Sequence, residues 1–312
     1  MLRWFIASTR NWRNMSWGQG TSNNDIGWGQ GSVNDDDIGW GEIYADSWSG
    51  DTNIIGLASD AAAYFTAASI VDATEQAAVI QLVKDLKGTG STTNNTDVWS
   101  DLLTLYPISP TSLAAAAFNL IDPSSYEITW YNSPTHGDDG IESDGSTSYG
   151  DSGYQADNSV DNDVGLTVAF EYPPGGGTPL GARDTTGDDF YLMMRGASNT
   201  RRFYAGENTE FVTGGSDLST AVFTGIRRAA DDKELYKNGA SVGTNTNTDS
   251  NGLPALNLFV LASNQDGSPA QYMPSGINTN FLAAHTALSD NQIDDLYDAI
   301  TTYNANVVSG GR

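Results

Sequence analysis

The chain has 312 residues, and its 39 Asp and Glu against 14 Lys and Arg leave a formal charge of −25; so few cations exclude a face that tracks nucleic-acid phosphates, and such a chain is repelled by an anionic bilayer surface. No apolar run approaches the ~20 residues that span a bilayer, and Leu2–Ala7, interrupted by Arg3, is too short for the apolar core of a signal peptide. The absence of cysteine excludes disulfides, thiolate catalysis and cysteine-ligated zinc, whereas 10 Phe and 14 Tyr allow a sizeable core and 34 Gly point to turns and short strands.

Length alone predicts about two domains. The first 13 residues carry Arg3, Arg10 and Arg13 with Trp4, Phe5 and Trp12 and no acid, and the next cation is Lys84. An aromatic, basic tip with so little chain around it is expected to pack on a partner subunit. A short repeat follows. Trp17-Gly-Gln-Gly is followed by Asn24-Asp-Ile26-Gly, Trp28-Gly-Gln-Gly by Asp36-Asp-Ile38-Gly, and Trp40-Gly-Glu opens a third copy. The glycines oppose a helix, and three such units cannot close a core of their own. Assembly solves the problem: arms from several identical chains interleave Trp17, Ile26, Trp28, Ile38 and Trp40, with Trp4 and Trp12, around a shared axis. A flexible Gly-rich linker is the alternative, but linkers rarely hold three tryptophans at near-constant spacing. Residues 1–53 are thus read as an assembly arm.

Residues 54–112 read as a small helical connector. Ser59-Asp60 caps a first helix, and Asp72 or Thr74 caps a second through Ala77, Ile80, Leu82, Val83 and Leu86, ended by Gly88. Val98, Leu102 and Leu105 suggest a third helix, stopped by Pro107. From residue 113 to 312 the pattern becomes short strands between Gly, Asn, Asp and Ser clusters: 115–120, 126–131, 165–172, 190–194, 202–205, 221–228, 233–237 and 255–262. So many strands predict an antiparallel β-sandwich or jelly roll. Lys237-Asn-Gly-Ala240 is a hairpin turn, and 288–303 an amphipathic closing helix with Ile293, Leu296, Tyr297 and Ile300 as its buried stripe.

The run Glu234-Leu-Tyr-Lys-Asn-Gly-Ala-Ser-Val-Gly243, with Phe281-Leu-Ala-Ala-His285 leading into Leu288-Ser-Asp290 and Tyr297, resembles concanavalin A-like and laminin-G-like jelly rolls. The order of the Trp-Gly-Gln-Gly repeat, Ile43-Tyr-Ala-Asp-Ser-Trp-Ser-Gly-Asp-Thr52, the Ala73–Lys87 helix, Leu105-Tyr-Pro107 and a β domain resembles virion structural proteins of tailed phages of Bacteroidetes hosts. Residues 1–14 fall outside that pattern, whose usual opening resembles Met15-Ser-Trp17. The resemblance implies a location on the phage particle surface. It further implies a homotrimer joined through the arm to other virion proteins, displaying the jelly roll as fibre, spike or decoration for attachment to host-surface glycan. A purely architectural capsid or tail protein and a glycan depolymerase are the alternatives.

Glycosidase chemistry by the usual route needs two placed carboxylates. The nearest arrangement, Glu142-Ser-Asp144, lacks a following Glu, and Glu207 and Glu210 would point to opposite faces of a strand. The chain is therefore expected not to be an enzyme. For sugar recognition the candidates are Trp130, Tyr131, Tyr149 and Tyr154 with Asn132, each with a core role as its alternative. The acidic stretch 134–163 contains no Lys or Arg. Its Asp138, Asp139, Asp161 and Asp163 are candidate ligands for calcium, which takes roughly six to eight oxygens; a solvated acidic surface is the alternative. No other cofactor is expected.

Overall fold

The computed structural model describes residues 52–171, 176–194, 200–207, 209–214 and 220–308. The chain divides into Met1–Ser47 and Trp48–Arg312, and every described residue belongs to the second unit. The expected arm, with Trp4, Trp12, Trp17, Ile26, Trp28, Ile38 and Trp40, lies outside the described residues.

Among the described residues, three helices, α1 (Thr52–Ala68), α2 (Ala73–Leu86) and α3 (Asp290–Val308), accompany two β-sheets. The first sheet is built from β1 (Leu102–Pro107), β3 (Thr135–Gly137), β4 (Gly140–Glu142), β6 (Val164–Glu171), β11 (Ala221–Ala229), β12 (Asp232–Lys237), β13 (Ala240–Asn245) and β17 (Asn278–His285). The second holds β2 (Thr129–Tyr131), β5 (Tyr149–Gln155), β7 (Leu180–Arg183), β8 (Asp188–Met193), β9 (Arg201–Glu207), β10 (Val212–Gly214), β14 (Asn257–Val260), β15 (Ser263–Gln265) and β16 (Ser268–Ala270). Strand order is β13-β12-β11-β6-β17-β4-β3 with β1 also on β17, and β10-β9-β8-β7-β14-β5-β2 with the β15-β16 hairpin joined to β7. All pairings are antiparallel except β15 with β7. The expected antiparallel sandwich is what the chain forms.

The two-residue period of a strand decides which side chain goes to which layer. Along β17, Leu282 and Ala284 join Val168 and Phe170 of β6 and Phe223 of β11 in the core between the sheets, against Phe190, Leu192 and Phe203 of the second sheet. Phe281 and Ala283 point the other way, and with Ala169, Val222 and Ile226 they meet Tyr64, Leu82, Val83, Leu296 and Ile300 of the helices. The first sheet is therefore apolar on both faces, and the second on one.

Local chemistry sets the helix starts. The Asp72 carboxylate accepts the Glu75 N–H at 2.9 Å, and Ser289 and Gln292 form a capping box, the Gln292 side chain accepting the Ser289 N–H at 3.0 Å. In the β12–β13 hairpin, Asn238 (φ 51°) and Gly239 (φ 79°) take the left-handed positions that the turn requires. Three elements differ from expectation. The first helix starts at Thr52, so Ser59-Asp60 lies inside it instead of capping it. Residues 98–105 give a short 3-10 turn and then β1, whose Leu102–Pro107 pairs with Phe281–His285. Residues 115–120 contain a 3-10 turn at Ala115–Ala117 in place of a strand. Through β1, the stretch read as a connector joins the first sheet.

His285 illustrates how tightly the central layer is filled. It is fully buried (0% exposed); Nδ1 lies 2.7 Å from the Thr286 carbonyl, and Nε2 lies 3.0 Å from the Thr167 hydroxyl, which meets Thr224 at 2.9 Å. A Cβ on Gly165 would approach the His285 ring to 2.2 Å, so only glycine fits there. Burial pushes the imidazole pKa down to about 4, against the pull of the Thr286 carbonyl and Asp101. The unfolded chain, with an ordinary value of 6.5, therefore binds more protons than the folded one between these values. Stability contributed by neutral His285 is present above pH ~6.5 and lost toward pH ~4, at no more than about 1.4 kcal/mol per pH unit. Chemical denaturation of His285→Gln beside the parent should show that slope missing from the variant in this window; equal slopes would contradict the assignment.

Candidate functional site

The three described helices bury their apolar faces on the first sheet, so no described helix lies over the outer face of the second sheet. Its register aligns Tyr204, Tyr191, Gly181, Phe259, Asp151 and Thr129 in one row across β9, β8, β7, β14, β5 and β2. Tyr131 and Tyr149 form the adjacent pair. Rings stack along these rows. Tyr191 and Tyr204 lie 4.3 Å apart at 15°, Tyr131 and Tyr149 4.7 Å apart at 8°, and Phe259 and Tyr272 meet Tyr149 at 4.9 and 6.4 Å. Gly181 is required between them, because a Cβ there would come within 2.0 Å of the Tyr191 Cβ.

The two ends of this aromatic row differ in access. Tyr191 and Tyr204 are 2% and 4% exposed, whereas Tyr131 is 41% exposed and Tyr149 and Tyr272 are half-buried. Burial, with Tyr131, Tyr272 and Asp151 adding, holds the Tyr149 phenol above its ordinary value, so it is a neutral hydroxyl at physiological pH. The rim is fixed by short-range bonds. The Asp144 carboxylate accepts the N–H groups of Ser146, Thr147 and Ser148 at 2.9, 2.7 and 2.9 Å and the Thr147 hydroxyl at 2.5 Å. The Thr147 hydroxyl bond and these amides hold its carboxyl well below the usual range. Asn132 donates to the Thr147 carbonyl at 2.8 Å, tying the end of β2 to that loop. Asn132, Ser133 and Gln271 all take left-handed backbone (φ 55°, 49° and 49°) next to Tyr131 and Tyr272, a conformation that the surrounding structure has to enforce.

The sugar candidates read from the sequence thus separate. Tyr131, Tyr149 and Asn132 come together on the rim. Trp130 faces the interior: its ring lies over Gly150, where a Cβ would clash at 2.7 Å, and its indole donates to the Leu113 carbonyl at 3.0 Å. Tyr154 is also interior, in the core between the sheets, with its hydroxyl on Ser159 at 2.7 Å. Phe259 and Tyr272 were not among the sequence candidates; they come from strands and loops more than a hundred residues from Tyr131, and register alone unites them.

The calcium candidates do not converge. Asp138 and Asp139 sit in the β3–β4 turn, beside a hollow shared with Asn280, Tyr303 and Asn304. Asp163 accepts the Ala287 N–H at 2.8 Å, just ahead of α3. The α3 residues next to the two pairs are separated by about 20 Å at 1.5 Å per residue. Among the described residues no group of three or more His, Asp and Glu is arranged to hold a metal. Other polar side chains serve the fold: Arg228 bonds Glu234 and Asp290 at 3.0 and 2.8 Å, and Arg227 donates to the Ala205, Asp249 and Asn251 carbonyls. His136 lies 2.7 Å from the Ser109 carbonyl.

A carboxyl group stands out at the buried end of the row. Asp189 has its side chain fully covered, Arg183 Nε at 3.6 Å, and no hydrogen bond to either oxygen. Burial raises it to about 7, Arg183 opposing and Asp184 and Asp188 adding. It keeps its proton where ordinary carboxyls have lost theirs.

No family model matches the chain, and no curated protein does. Solved structures do. Trypanosoma rangeli sialidase in complex with 2,3-difluoro-KDN is 15% identical with a TM-score of 0.49, over 78% of this chain and 38% of that one. Domain 4 of AbnA, a GH43 extracellular arabinanase from Geobacillus stearothermophilus bound to arabinotriose, is 15% identical with a TM-score of 0.42, over 63% of this chain and 98% of that one. Botulinum neurotoxin type C, whose cell entry depends on two ganglioside molecules, is 10% identical with a TM-score of 0.45, over 65% and 52%. The chain spans about two fifths of the sialidase and half of the neurotoxin. At these identities the likeness is one of fold. The sialidases among these neighbours overturn the expectation that the chain is not an enzyme. That expectation rested on a missing carboxylate pair, and sialidases use a tyrosine nucleophile, which a search for paired carboxylates does not detect.

The Asp189 environment has a measurable consequence. A carboxyl with a folded value near 7 and an unfolded value of 3.8 binds more protons when folded, so its contribution to stability is present at low pH and lost as pH rises through that window, by at most about 1.4 kcal/mol per unit. Asp189→Asn should gain stability relative to the parent between pH ~4 and ~7. A constant difference across that range would place the Asp189 carboxylate in water.

Proposed function

We propose that the outer face of the second sheet is a saccharide-binding surface centred on Tyr131, Tyr149 and Tyr272. The observation that carries this reading is the parallel Tyr131–Tyr149 stack, 4.7 Å apart and open to solvent, with Tyr272 set at 70° to Tyr149. A pyranose or furanose ring has an apolar C–H face and a polar hydroxyl edge. Tyrosine offers the matching pair, a π-face and a hydroxyl at its tip, and Asn132 and Asp151 supply planar polar groups nearby. The rim is stiff, held by Asp144 and by Asn132, so little order has to be gained on binding.

The finer reading is that of a virion-surface protein of a tailed phage, attaching to host glycan. Residues 1–53 are its assembly arm, a homotrimer its assembled state, and other virion proteins its anchor. The Trp-Gly-Gln-Gly repeat and Ile43–Thr52 support this by resemblance. Three weak sites on one stalk would then gain avidity without tighter individual contacts.

Two measurements test the two levels. In a titration with the best saccharide from a glycan array, Tyr131→Ala and Tyr149→Ala should each weaken binding by about tenfold, about 1.4 kcal/mol, while Tyr64→Phe beneath the helices leaves it unchanged. Undiminished binding in both alanine variants would rule out the surface, and no binding to any saccharide would favour a purely architectural role. Light scattering should show a trimer for the full chain and a monomer for a chain starting at Trp48. Monomers in both cases would remove the arm's role in self-assembly.

A further inference from the structure

We infer that this surface selects uncharged saccharides and rejects those bearing carboxylate, sulfate or phosphate. The inference presupposes the saccharide reading above and adds the ligand class. Tyr131, Tyr149, Phe259 and Tyr272 all come from two stretches, residues 88–182 and 238–311, that contain no Lys or Arg at all. Among the described residues, the charges around these rings are of one sign. Asp151 lies opposite Phe259 in the register and accepts from the Asn257 amide at 3.0 Å. Asp144 anchors the rim loop and stands near enough to Tyr272 to raise its phenol, burial being the larger cause. Glu142 accepts the Gly276 N–H in the loop that follows Tyr272.

The described arginines on the same face are engaged elsewhere. Arg183 rides over Tyr191 and faces Asp189, and Arg202 rides over Phe211 at 4.3 Å. In the register Arg183 is two strands over and four residues along from Tyr149, and Arg202 is four strands away, about 16 and 19 Å at 4.8 Å per strand and 3.3 Å per residue. Both exceed the Debye length of about 8 Å at physiological salt. An acidic sugar seated on Tyr131 and Tyr149 would meet Asp144 and Asp151, and no cation of the described residues lies in reach. Its charge would have to be desolvated without a partner. A neutral sugar meets no such penalty, and its hydroxyls can donate to the same carboxylates.

The experiment uses the full chain on an array of matched pairs, lactose with 3′-sialyllactose and neutral xylan with glucuronoxylan oligosaccharides among them, followed by titration of the best pair at low and high salt. The neutral member should bind at least about tenfold more tightly at low salt, the gap should narrow at high salt, and Tyr149→Ala should abolish the neutral signal. Equal or tighter binding of the acidic member, or a gap unmoved by salt, would overturn the selectivity while leaving the saccharide surface standing. No binding by either class, or binding indifferent to Tyr149→Ala, would overturn the saccharide reading and the selectivity with it.

Discussion

A sheet with apolar side chains on both faces has to be covered twice, and in this molecule the first sheet is such a sheet. Its strand β17 runs Phe281, Leu282, Ala283 and Ala284 without a polar break, so one face demands a second sheet and the other a layer of helices. Both are present, and the helices are consumed in meeting that demand. The consequence for function is topological. The helices cover the outer face of the first sheet apart from one hollow beside α3, and among the described residues the broad sheet surface without a helix over it is the outer face of the second.

That outer face is built by the same alternation that fills the core. Leu180, Ala182, Phe190 and Leu192 point inward, which forces Gly181, Arg183, Asp189 and Tyr191 outward. Aromatic rings then stack across strands because opposite residues in a sheet are close neighbours, and Gly181 leaves the gap they need. The face has two chemically distinct ends. One holds buried tyrosines with Arg183, Arg202 and Asp189, whose carboxyl burial raises above its ordinary value; the other holds open tyrosines among carboxylates. Two ends of opposite character on one sheet give the surface a direction, which a flat apolar patch lacks.

Much of the fold was legible in the residues. The Asn238-Gly239 turn, the Asp72 cap and the stripe of α3 announce themselves by local chemistry that tertiary packing does not override. Leu102–Pro107 did not, because a strand buried on both faces loses its two-residue period, and Val98, Leu102 and Leu105 fit a helical spacing equally well. Ala115–Ala117 has short side chains that suit a turn as readily as a strand. The site was half legible. Neighbours such as Trp130 and Tyr131 have opposite fates, and which one faces inward depends on register with β5. The one local hint was Gly150, whose missing side chain makes room for the Trp130 ring. Phe259 and Tyr272 carry no such hint, since their relation to Tyr149 exists in space and not along the chain.

The central claim is that ligands meet this protein on the outer face of the second sheet and not on its helix-covered side. Fluorine NMR of the chain labelled with 3-fluorotyrosine, titrated with a neutral oligosaccharide, tests it most directly. Tyr131, Tyr149 and Tyr272 should shift with one common affinity, while Tyr64 and Tyr303, buried beneath the helices, stay fixed. A hollow of about 240 Å³ between α3 and the first sheet is lined by Tyr297, Asn238, Asn280 and Asn304. Saturable shifts at Tyr297, with Tyr131 and Tyr149 unmoved, would contradict the account and move the binding site to the opposite side of the sandwich.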